Sequence, residues 1–118
     1  MNKMQESKNQ TRPREKALDE AEFLENDAVK PHRLAIASAR RAVKDLTAHD
    51  APIAYVGPGV CDEICVYLKR PDRDDKAVYL YFYPQKSFFL LVSDAHTPPE
   101  HGDYDPDVIP RLLQWLSD

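Results

Sequence analysis

The chain has 118 residues, enough for one domain and too few for two, and its 42% hydrophobic and 31% charged residues are an ordinary globular balance. Two cysteines do not make a disulfide framework, no apolar run approaches the roughly 20 residues that a membrane-spanning helix needs, and residues 1–14 hold no apolar stretch of a signal peptide, so a soluble cytoplasmic protein is expected. The net charge of −4 is unevenly placed: residues 94–118 carry Arg111 alone against Asp94, Glu100, Asp103, Asp105, Asp107 and Asp118, which disfavours a nucleic-acid partner at that end.

Residues 1–13 read as a polar, flexible arm closed by Pro13. Residues 14–27 then show a helical stripe, Ala17, Leu18, Ala21 and Leu24, with Phe23 beside it. Pro31 suits the first turn of a second helix that should run to about Ala48, with Ile36, Ala39, Val43 and Leu46 on its apolar face. His49, Asp50 and Pro52 end it.

The period then falls from 3.6 to 2. Ile53 to Val56 is a short strand before a Gly57-Pro58-Gly59 turn, and Ile64, Val66 and Leu68 alternate with Cys65, Tyr67 and Lys69. A polar loop, 70–75, leads to a strand from Ala77 to Tyr83, rich in residues that favour strands. Tyr83-Pro84-Gln85-Lys86 fits a tight turn with proline at its second position, and Ser87 to Ser93 is the last clear strand. Residues 94–105 read as an irregular loop. Asp105 and Pro106 resemble the cap and first residue of a final helix with Ile109, Leu112, Leu113 and Leu116 as its stripe. The expected architecture is one α+β domain over residues 14–118: two N-terminal helices, a four-stranded antiparallel meander and a C-terminal helix.

An even-numbered turn between the last two strands places Ala77, Tyr79, Tyr81, Phe88, Leu90 and Val92 on one sheet face and Val78, Leu80, Phe82, Phe89 and Leu91 on the other. Both faces are apolar, so each needs a cover. If the helices share one face, the tyrosine face is left for a partner, for a second copy or for the N-terminal arm. Tyrosine suits such a surface because its ring buries while its hydroxyl stays wet.

The second candidate is the acidic segment, with Asp94, His96, Glu100, His101, Asp103, Tyr104, Asp105 and Asp107, followed by a helix carrying Trp115. Its negative potential suits docking to a basic protein surface. Cys61, Cys65, His96 and His101 are the right ligand types for zinc. An extended chain nevertheless separates the two thiols by roughly 13 Å, too far for one ion or for a disulfide, so no metal or cofactor is assigned. The same cysteines and histidines, with Asp103, supply residue types for a thiol triad, but no nucleophile elbow or phosphate loop accompanies them. Arg33, Arg40, Arg41 and Lys44 on the second helix read as a solvated face.

The leading expectation is a small non-catalytic protein-binding module, an inhibitor or immunity-type protein that masks a basic surface of its target. The alternatives are a small enzyme or metal protein centred on Cys61, Cys65, His96 and His101, and a homodimeric subunit paired through the tyrosine face.

Overall fold

The computed structural model describes residues 32–59, 61–94 and 96–118. The predicted arm over 1–13 and the predicted helix over 14–27 lie outside the described residues. Helix α1 spans Arg33–Ala48; strands β1 (Ile53–Pro58), β2 (Ile64–Leu68), β3 (Ala77–Phe82), β4 (Ser87–Val92) and β5 (Glu100–Asp103) follow; a 3-10 turn (Pro106–Val108) leads into helix α2 (Ile109–Ser117). The fold is α+β, built on one antiparallel sheet in the order β1-β2-β3-β4-β5.

Helix α1 starts where the His32 ring nitrogen Nδ1 accepts the Leu34 N–H at 3.0 Å. It ends where Asp50 turns the chain with a φ of 55°, a left-handed conformation that aspartate tolerates better than most residues. Between them Ile36, Ala39, Val43 and Leu46 are buried as their spacing predicts, joined by Ala35 and Ala42. The three alanines let the helix backbone approach the sheet closely. The final helix begins as the sequence suggests: an Asp105 Oδ1 accepts the Asp107 N–H at 2.8 Å and Pro106 follows. One 3-10 turn precedes the α-helix proper.

A single core lies between the two helices and one face of the sheet. Ile64, Val66, Leu68, Val78, Leu80, Phe82, Phe89 and Leu91 contribute from the strands, and Ile109, Leu112 and Leu116 from α2. These are the residues whose alternation puts them opposite the tyrosines. The β3–β4 register, with Tyr81 paired to Phe88 and Tyr79 to Leu90, is the one an even-numbered turn requires, and the Tyr83 N–H closes that turn on Lys86 O at 2.9 Å.

Two expectations need correction. The sheet has five strands, not four, because residues 100–103 leave the expected loop and pair with β4. Glu-His-Gly-Asp has no β-branched or aromatic residue to signal a strand. Its conformation is imposed by the exposed edge of β4, and Gly102 provides the close approach. A Cβ there would lie 2.8 Å from Cζ of the buried Phe89 ring. Next, Gly57 and Pro58 do not turn but extend β1, and the Gly59 N–H closes the hairpin on Glu63 O at 3.0 Å. Proline is admissible there because β1 is an edge strand.

The polar loop between β2 and β3 has a structural task. Arg73 donates to the carbonyls of Leu116 (3.5 Å) and Ser117 (3.3 Å), and Lys76 Nζ to that of Trp115 (2.9 Å). The last carbonyls of a helix lack intrahelical donors, and cations there also oppose the helix dipole. The loop also holds three ion pairs of its own: Lys69 with Asp74, Arg70 with Asp72 and Arg73 with Asp75.

Candidate functional site

Pairing positions in an antiparallel sheet share a face, so the registers place side chains opposite the core in rows, two of which cross all five strands. One row runs Tyr55, Tyr67, Tyr79, Leu90 and His101; the other runs Gly57, Cys65, Tyr81, Phe88 and Asp103. The rings form a connected ladder. Centroids are 4.9 Å apart for Tyr67 and Tyr79, 6.3 Å for Tyr79 and Tyr81, 5.1 Å for Tyr81 and Phe88, and 5.6 Å for Phe88 and Tyr83. These separations fall in the range where aromatic pairs attract.

Neither described helix lies on this face. Tyr67, Tyr79, Tyr81, Phe88 and Leu90 are half-buried, and Tyr55 is 50% exposed. Together with the end of the β1–β2 hairpin they enclose a concavity of about 830 Å³, large enough for a small ligand or for several side chains of a partner.

At one end of the concavity stands Glu63, only 2% exposed. Its Oε1 accepts the Cys61 N–H at 2.8 Å, and Tyr83 lies beside it in the lining of the concavity. A Cβ at Gly59 would collide with that group, so glycine is what lets it fold inward. No lysine, arginine or histidine among the described residues pairs with Glu63. Burial first, and the neighbouring Glu63 second, push the Tyr83 hydroxyl up to about 12. Burial first, and Glu63 second, push the Cys65 thiol up to about 11. Cys65 is therefore a protonated thiol at neutral pH, the opposite of what a thiol nucleophile requires.

The residues predicted to bind a partner divide into four sets. Tyr79, Tyr81, Phe88, His101 and Asp103 are brought together on the aromatic face. Asp94, His96, Asp105 and Asp107 are not: they lie in the loop and the 3-10 turn that flank β5. Asp94 accepts the His96 and Thr97 N–H groups, each at 2.8 Å, and the Thr97 hydroxyl at 3.1 Å; these donors, the His96 N–H first, hold its carboxyl below the usual range. Glu100 pairs with Leu91 and so belongs to the opposite side of the sheet, though it is exposed at the edge. Tyr104 and Trp115 pack against the core. The Tyr104 ring meets Phe82 edge-on at 5.3 Å, and burial pushes its hydroxyl well above the usual range. The Trp115 ring lies beneath the Lys76 ammonium, 5.0 Å from the centroid.

Sequence reasoning missed Tyr55, Glu63, Cys65, Tyr67 and Tyr83 as parts of one surface. The alternation of Cys65 and Tyr67 was visible, but their placement beside Tyr79 and Tyr81 depends on the register across the 69–76 loop. Among the described residues, no group of three or more His, Cys, Asp or Glu is arranged to hold a metal ion, and no helix is long and apolar enough to cross a membrane. No known protein family, curated protein or solved structure matches the chain.

Proposed function

We propose that this chain is a small non-catalytic protein-binding module, of the inhibitor or immunity type, that docks a basic surface of a target protein against the aromatic face of its sheet. The supporting observation is the ring ladder from Tyr67 to Phe88, bordered by His101 and Asp103 on β5. Rings half-buried on a rigid sheet lose little conformational freedom on binding and offer both apolar area and hydroxyl donors, which is why Tyr is enriched in interface cores. The acidic C-terminal segment adds long-range attraction for a cationic partner.

The test is capture from a lysate of the native host by four immobilised forms: wild type, Tyr79→Ser/Tyr81→Ser, Asp103→Lys and the control Asp118→Lys. Each form is first shown to be folded by circular dichroism. The reading expects one protein held by wild type and the control, lost from the tyrosine variant, weakened in Asp103→Lys and released by salt. A captured protein indifferent to the tyrosines would refute the aromatic face as the docking surface. Light scattering of the free protein shows whether the face instead pairs with a second copy; a dimer broken by the tyrosine variant would replace this reading with a homodimeric one.

A further inference from the structure

We infer that the concavity on the aromatic face is a site for a single cationic side chain, a lysine ammonium or an arginine guanidinium of the partner, held between the rings and the carboxyl group of Glu63. The inference rests on the docking reading above and specifies its chemistry.

A carboxyl group that is 2% exposed is unusual without a cation, because removing a charged group from water is costly unless it is paired. The Glu63 carboxyl accepts the Cys61 N–H but meets no cation among the described residues. It borders an open concavity rather than a closed core. The remaining wall is aromatic: Tyr81, Tyr83 and Phe88 are neighbours in the ladder, and Tyr83 both stacks on Phe88 and touches Glu63.

Ring faces attract cations through their quadrupoles, most strongly where water is excluded. An aromatic wall ending in a carboxyl group thus supplies both halves of a receptor for a long cationic side chain. The rings sheath its methylenes and the acid meets its head. Asp103 lies in the same cross-sheet row as Phe88 and adds a second negative group beside the rings, within the docking surface. An anionic side chain would be repelled by Glu63, and a neutral one would gain only apolar contact with the rings.

The test is a titration of isotope-labelled full-length protein, followed by NMR, with three small probes: the Nα-acetyl N-methylamides of lysine, arginine and norleucine. Lysine or arginine should shift resonances of Tyr81, Tyr83 and Phe88, binding at least tenfold more tightly than norleucine at low salt. Glu63→Gln keeps the shape and one hydrogen-bond acceptor, and should bind the cationic probe at least fivefold more weakly with an otherwise unchanged spectrum. Equal shifts with norleucine and lysine would overturn the cation site while leaving the docking face intact. Absence of any shift with the cationic probes would also overturn it, and the capture experiment would then decide the docking reading on its own. If Glu63→Gln does not fold, the lysine–norleucine comparison in wild type still decides.

Discussion

Gly102 is the residue on which the attachment of β5 turns, and its replacement by alanine has a calculable effect. The added Cβ would stand 2.8 Å from Phe89 Cζ and 3.0 Å from Cε2. Carbon atoms prefer about 3.5–4.0 Å, so ring and strand must separate by roughly 0.5–1 Å. Phe89 is 3% exposed and belongs to the core, so its ring has no free space to enter. Overpacking of this kind costs about 1–3 kcal/mol, and the lower entropy of the unfolded alanine chain returns about 0.4–1 kcal/mol. The net expectation is a loss of about 1–2 kcal/mol, read as a lower urea midpoint with an unchanged slope. The distinguishing assay is a double-mutant cycle with Phe89→Leu. That change alone leaves a cavity and costs on the order of 1 kcal/mol, but it makes room for the methyl group that Gly102→Ala introduces, so the double variant should be more stable than the sum of the single effects by about 0.5–1 kcal/mol. Hydrogen exchange should show the β5 amides opening first in Gly102→Ala. Strict additivity, or uniform loss of protection across the sheet, would refute the steric account.

Three further outcomes are expected. Arg73→Met removes the donors to Leu116 O and Ser117 O while keeping the side chain's bulk, and should cost about 1 kcal/mol with fraying of α2, checked by urea unfolding and amide exchange at residues 114–118. Asp105→Ala should cost about 1 kcal/mol and Asp105→Asn much less, since asparagine caps equally well; equal losses would show that the charge, not the cap, matters. In a Cys61→Ser background, the iodoacetamide reaction rate at Cys65 should keep rising past pH 9.5 towards a midpoint of about 11, because burial raises this thiol; a plateau below pH 9 would contradict that.

Much of the fold is legible in the residues themselves. The alternation from Ala77 to Val92, with a four-residue turn, dictates which side chains oppose the helices, and the Ile36, Ala39, Val43, Leu46 stripe dictates how α1 lies on the sheet. What is not legible depends on contacts between distant segments. Residues 100–103 are a strand only because β4 offers unpaired backbone groups and Gly102 fits beneath Phe89. Glu63 reads as one of two adjacent acids in a loop, and nothing local shows that Gly59 leaves room for its carboxyl group to fold inward. Tyr67 joins Tyr79 because Arg70, Arg73 and Lys76, which look like solvated loop charges, are tied to the end of α2 and so fix the path between β2 and β3.

The same contacts change how the acidic C-terminal segment bears on binding. Its net charge treats six acids alike, yet three of them are occupied within their own stretch of chain: Asp94 by the His96 and Thr97 amides, Asp105 by the Asp107 amide and Asp118 by Gln114 Nε2 at 2.7 Å. Glu100 registers to the core side of the sheet. Among these acids Asp103 alone shares a cross-sheet row with the rings of Tyr81 and Phe88, and Glu63 lines the concavity. Long-range attraction depends on the summed charge and is screened beyond about 10 Å at 0.1 M salt, so any one of the exposed acids contributes similarly to the rate of encounter. The lifetime of the complex depends on groups desolvated within it, as is general for interfaces. On this reasoning Asp107→Lys and Asp103→Lys slow association to a similar degree at low salt, whereas only Asp103→Lys and Glu63→Gln also shorten the bound state.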